Sequence, residues 1–173
     1  MSQLTFGYSD SEDRIWLASS DGSKFWLTRR LLERFIRPCA ELLERTVAGG
    51  EVPNALPNRQ RIAIEHAEAL MDSPEGEPAF ARDVETRSTA QAPAAPRLVN
   101  TLRLDANPAT CRLTLVAAGE ETTLELNRID YHRLLGALAL TVQNADWRID
   151  LPGWLGPRAH LGQDAKDPPV WPH

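Results

Sequence analysis

Arg14-Ile15-Trp16-Leu17-Ala18-Ser19-Ser20-Asp21-Gly22-Ser23-Lys24-Phe25-Trp26-Leu27-Thr28-Arg29-Arg30 is the stretch on which the fold of this chain turns. Two apolar runs flank Asp21-Gly22, and both residues of that dipeptide tolerate positive φ, so the pattern predicts a β-hairpin. A two-residue loop pairs Ala18 with Phe25, Leu17 with Trp26 and Trp16 with Leu27. Apolar side chains then stand on both faces of the hairpin, and both faces call for cover. Upstream, Leu4, Phe6 and Tyr8 alternate with Gln3, Thr5 and Gly7, the period of a strand, and the polar run Ser9 to Asp13 supplies the turn between. Downstream, Thr28 stands at an N-cap position. The helix it opens carries Leu31, Leu32, Phe35, Ile36, Leu42, Leu43 and Val47, and Gly49-Gly50 ends it. Pro38 predicts a kink or the start of a second helical segment.

Asn58 is placed to cap a further helix bearing Ile62, Ile64, Ala67, Leu70 and Met71, stopped by Pro74. Residues 73–97 hold Pro74, Pro78, Pro93 and Pro96 with few large apolar groups, the composition of a flexible connector. After it the first pattern returns. Leu98, Leu102 and Leu104 mark a strand. Leu113, Leu115 and Ala117 alternate in the next, and Gly119-Glu120 fits a type II′ hairpin with glycine first. Thr122, Leu124 and Leu126 come back on the same face. Asn127 is the N-cap of a helix with Tyr131, Leu135, Leu138 and Val142 on one side.

The repeated order predicts an α+β domain over residues 1–147. It would be built from two βββα-like halves, 1–72 and 98–147, forming antiparallel sheets as a sandwich or barrel-like arrangement with packed helices. Neither half can cover its own apolar faces, so the two should share a core. Residues 148–173 form a Pro/Trp-rich C-terminal extension. In it Trp154 and Trp171 either pack back onto the domain or serve as aromatic anchors in a partner's groove.

An apolar share of 42% supports a real core, and the net charge of −5 argues against a general nucleic-acid coat. No run approaches the roughly 18 apolar residues of a membrane span. The first residues lack the basic start and apolar run of a signal peptide. The expected location is cytoplasmic, and Cys39 and Cys111 read as reduced, buried thiols. Phosphate-loop, dinucleotide and nucleophile-elbow motifs are missing. His66, His132, His160 and His173 show no ligand spacing, so neither catalytic nor metal residues are assigned and no cofactor is expected.

The most distinctive charged cluster is Arg30, Arg34 and Arg37, which fall at i, i+4 and i+7 on one helical face. Arginine forks suit phosphate and carboxylate oxygens, so this face is a candidate docking patch. The leading expectation is a non-enzymatic interaction or adapter protein with a protein partner, and self-association is compatible with it. Candidate partner-binding residues are Trp154, Trp171, Arg30, Arg34 and Arg37. Nucleic-acid binding through the arginine face is the first alternative. An enzyme whose site is assembled from distant residues such as His66 and His132 is the second. Arg14-Ile-Trp-Leu followed by Phe25-Trp-Leu-Thr-Arg-Arg-Leu-Leu resembles a group of uncharacterised bacterial proteins with a Trp-Leu-Thr-Arg-Arg segment after a hairpin. The likeness covers about the first forty residues and implies a bacterial source, with no activity or site residue attached.

Overall fold

A computed structural model describes residues 4–19, 22–47, 56–71 and 95–156 of the chain. The first three strands are β1 (Leu4–Ser9), β2 (Arg14–Ser19) and β3 (Lys24–Leu27), followed by the helices α1 (Arg29–Arg45) and α2 (Asn58–Met71). Then come β4 (Arg97–Ala106), β5 (Thr110–Ala117), β6 (Glu120–Asn127) and α3 (Arg128–Asn144). The fold is α+β with helices packed on a sheet.

The sheet itself differs from the expected sandwich or barrel. All six strands lie in one open sheet in chain order, antiparallel except at β3–β4, which pair in parallel. A parallel joint needs a crossover rather than a hairpin, and α1 with α2 provides it. The sheet is open, and α3 packs against it. That helix touches β1 at one edge and β5 and β6 at the other, while α1 covers β4. The helix α2 packs chiefly on α1 and α3 and so forms an outer layer.

The hairpin quoted above forms, shifted by one residue from the expected register. Trp16 faces Trp26 and Leu17 faces Phe25. The loop has three residues, closed by Ser19 N–H to Ser23 O at 2.9 Å, with Gly22 at φ +87°. Glycine at the left-handed end of a three-residue loop is a common hairpin solution. The shift sorts the side chains cleanly. Ile15, Leu17, Phe25 and Leu27 are buried on the helix side. Trp16 and Trp26 stand on the other face, half-buried, with the Lys24 ammonium 5.0 and 5.7 Å from their ring centres. Instead of cover by another layer, this face has an aromatic pair capped by a cation. Gly7 lies opposite Trp16, and a Cβ there would sit 2.8 Å from Trp16 Cζ2.

The second hairpin also turns one residue early. Ala118 and Gly119 both take positive φ, 51° and 83°, and Ala117 pairs with Glu120, which is a type I′ loop rather than II′. Two of the three expected caps form, while Asn58 is instead the first residue of α2, where Gln60 and Arg61 N–H donate to Pro57 O at 2.9 and 3.1 Å. Thr28 Oγ1 accepts from Leu31 N–H at 3.3 Å, and Asn127 Oδ1 from Asp130 N–H at 2.7 Å. Pro38 does not divide α1, which runs on to Arg45 and ends at Thr46 before the glycine pair.

One buried cluster draws Phe6, Ile15, Phe25, Leu32, Ile36 and Leu43 together with Leu113, Leu115, Tyr131, Leu135 and Val142. It also takes in Trp147, Trp154 and Leu155, so the packed body continues past residue 147 to the end of the described chain at Gly156. Trp147 Nε1 and the Tyr8 hydroxyl both donate to Asp13 Oδ1 at 2.8 Å, which ties the end of α3 to the β1–β2 turn. The connector up to residue 94 and residues 157–173 lie outside the described residues. Arg97, at the end of the expected connector, is already the first residue of β4.

Candidate functional site: a histidine pair beside an apolar groove

Spacing on two helices builds the site. On α2, Ile62, His66 and Ala69 recur every three to four residues and are buried. On α3, Arg128, Tyr131, His132 and Leu135 do the same. Packing α2 on α3 brings the two histidines together. His66 Nδ1 lies 3.2 Å from His132 Nδ1, and the residues are 3% and 0% exposed.

A charged pair stands behind them. Glu65 Oε1 is 3.2 Å from His132 Nε2 and also accepts from Arg128 Nε. The His132 contact is a close approach rather than an aligned hydrogen bond, since that Nε2 has no partner in line with its N–H. Arg128 is 5% exposed and reaches further. Its terminal nitrogens donate to Thr46 Oγ1 at 3.0 Å, Asn107 O at 3.1 Å and Leu43 O at 3.0 Å. Leu43 and Thr46 belong to the C-terminal end of α1, where carbonyls carry negative partial charge and favour a cation. One guanidinium thus joins α1, α2, α3 and the β4–β5 turn.

A carboxylate beside His132 Nε2 favours a proton on that nitrogen. One of the two Nδ1 atoms donates across the 3.2 Å contact and the other accepts, and the tautomer sets which. Burial pushes the His66 pKa down to about 4, and the neighbouring His132 adds to the shift. Burial works against ionised Glu65, but the approach of His132 and the Arg128 guanidinium outweigh it and hold that carboxyl below its usual value. Near neutral pH the string reads Arg⁺, Glu⁻, neutral His66.

His66 also lines a groove between α2 and α3 of about 510 Å³. Its walls are mostly aliphatic, with Ala63, Ala67, Leu70, Ala137 and Leu140 among them. Gly136 opens the floor. A Cβ at that position would lie 3.4 Å from His66 Cε1 and 3.7 Å from His66 Nε2. The apolar surface extends past the rim, for Leu70, Met71 and Leu140 are 42, 78 and 45% exposed. Arg133 borders the groove, its Nε donating to Ala69 O and its Nη1 to Asp130 Oδ1.

The sequence-derived candidates fall in separate places. Trp154 is 3% exposed; its indole donates to Glu44 Oε1 at 3.0 Å and its ring meets His66 edge-on at a centroid distance of 5.3 Å. This is the packed arrangement of the two the sequence allows, and a ring so enclosed is closed to a partner in this structure. Trp171 lies outside the described residues. Arg30, Arg34 and Arg37 are exposed along α1, and Arg37 pairs with Glu41 and Asp150 at 3.7 and 4.0 Å. They are not brought to the groove.

Cys39 and Cys111 are buried free thiols that burial pushes up to about 12 and about 11, far from thiolate reactivity. Sequence spacing could not join His66 to His132, because each is a single histidine on its own helix, 66 positions apart. The one available signal was Glu65-His66 on the inward face of α2.

Among the described residues, no three His, Cys, Asp or Glu side chains gather as a metal site, and no helix is long and apolar enough to cross a membrane. Comparison with protein-family models, with curated proteins and with solved structures finds no match to this chain.

Proposed function

We propose that this protein is a non-enzymatic interaction module whose α2–α3 groove receives an apolar segment of a partner protein. The observation that carries this reading is the continuity of the groove with its exposed rim of Leu70, Met71 and Leu140. A pocket for a small molecule buries its ligand within the walls, whereas apolar surface that runs out beyond the walls suits a longer occupant. Side chains of the occupant would fill the groove, and its backbone would cross the rim.

Catalysis is less well supported. A histidine lowered to about 4 is a weak base at neutral pH, and general bases work best near the operating pH. Nucleic-acid binding through Arg30, Arg34 and Arg37 has less support too, since Arg37 already faces Glu41 and Asp150. A photo-crosslinking side chain at position 140, expressed in the native cell, tests the reading. The expected result is a discrete adduct mapping to an apolar segment of another protein, lost when Leu70→Glu is added. Crosslinking at 140 no greater than at position 34 on the arginine face would sink it.

A further inference from the structure

An open sheet has two edges, and in this one they differ. Among the described residues β1 and β6 each pair with a strand on one side only, which leaves an outer row of backbone N–H and C=O groups as a template for a further strand. Charge guards the β6 edge. That strand carries Glu120, Glu121 and Glu125, which Arg97, Arg103 and Arg112 hold within the sheet. The β1 edge has no such guard, for Leu4–Ser9 contains no charged residue and no proline in a chain of net charge −5. Side chains alternate along it. Phe6 is buried on the helix side, so Thr5, Gly7 and Ser9 share the outer face. A tryptophan reaches this edge from the next strand. Trp16 lays its indole over Gly7, with Cζ2, Cε2 and Nε1 at 2.8, 3.0 and 3.1 Å from where a Cβ would stand. Gly7, Trp16, Trp26 and Leu98 pair in turn and form one row across four strands.

We infer that β1 is the contact between two copies of this chain, each β1 pairing antiparallel with the other about a two-fold axis through Gly7. Three properties converge on a second copy. The first is parity. Centring on Gly7 sets Phe6 opposite Tyr8 and Thr5 opposite Ser9 of the second copy, so helix-side residues meet helix-side residues and outer residues meet outer ones, as a ladder requires. The second is charge. A neutral strand meets its own image without repulsion, whereas two copies of the acidic β6 would set like charges against each other. The third is shape. An indole spread over Gly7 calls for a strand with no side chain at the facing position, and β1 itself supplies one. The two outer rows then join across the axis, with the Trp16 rings side by side above paired glycines. Such a contact uses the same patch on both copies and closes at two. No residue lining the α2–α3 groove belongs to β1, so this interface is separate from the docking site proposed above.

Sedimentation of the full chain over a dilution series, with amide exchange measured at both ends of the series, tests this. The expected result is a monomer–dimer equilibrium in which β1 amides exchange about tenfold more slowly in the dimer while β6 amides do not change. Two double variants then read the register. Thr5→Lys with Ser9→Glu sets opposite charges against each other across the axis and should keep the dimer. Thr5→Glu with Ser9→Glu sets like charges there and should dissociate about tenfold more readily. Both contain the same change opposite Arg14, so their difference reports position 5 alone. Neither site is buried, so both variants should fold like the parent. A chain still monomeric at about 1 mM overturns the inference. So does a dimer whose β1 amides exchange as in the monomer, because the interface then lies elsewhere. Protection of β1 that persists on dilution means that the chain covers its own edge, and it overturns the assignment to a second copy. Equal dimer affinity of the two double variants overturns the pairing about Gly7.

Discussion

Arginine occurs in two settings here, and the settings behave in opposite ways. Along α1, Arg30, Arg34 and Arg37 make a conspicuous row, exposed to solvent and met by carboxylates only at long range. At the start of α3, one inconspicuous arginine is 5% exposed and satisfies Glu65, Thr46, Leu43 and Asn107 together. A row of charge is easy to see because water tolerates it, and for the same reason it does little to hold the fold. A lone buried charge survives only when every donor is placed, so its removal strands several groups at once.

The comparison can be broken by mutation. Arg128→Met should lose about 3–5 kcal/mol, because Glu65 is left as a half-buried carboxylate without its main partner and the Leu43 and Asn107 carbonyls lose their donor. Urea unfolding measures this, and a loss below 1 kcal/mol would mean that the buried arginine is no hub. Trp154→Ala should cost about 3–4 kcal/mol by opening a cavity beside both histidines, and Trp154→Phe clearly less. The histidine string predicts a pH dependence of stability. The folded pKa of His66 is lowered to about 4 from an ordinary 6.5, so the unfolded chain binds the extra proton first. Stability is then full above pH 6.5 and falls, by on the order of 2–3 kcal/mol, as pH drops toward 4. His66→Phe should flatten that window, and the depressed Glu65 should contribute only below it. At the other end of the scale, Arg34→Ala should change stability by no more than about 0.5 kcal/mol. An Arg34 effect that rivals that of Arg128 would erase the contrast between the two settings.

What could be read from the sequence follows the range of the forces involved. Strand alternation, the helix stripes and the caps at Thr28 and Asn127 are local, and they appear where the pattern places them, whereas α2 starts one residue earlier than a cap at Asn58 would have it. The two hairpin registers are one step more delicate. They depend on which residues take positive φ, and Gly22 closing a three-residue loop and Ala118 joining Gly119 each moved the turn by one position. The parallel joint and the open sheet were beyond local pattern, since they involve strands and helices that meet only across long sequence separations. The histidine pair was further out of reach. It exists only after two helices separated by a long connector have packed, and neither histidine is flanked by anything that announces the other. Trp154 illustrates an intermediate case. Its bulk made a packed or docking role plain, but only the position of Glu44 and His66 selects the packed one.

The β3–β4 joint has a consequence for how the molecule opens. Only Phe25 with Arg97 and Trp26 with Leu98 are in register across it, with the Arg97 guanidinium 4.7 Å above the Phe25 ring. Each three-stranded meander is zipped along most of its length, whereas this seam is two rungs long. Amide exchange should therefore reveal two cooperative blocks that exchange slowly, separated by a boundary at Phe25 and Leu98 that exchanges first. Under strain the sheet would part there, like a book along its spine, before either meander frays.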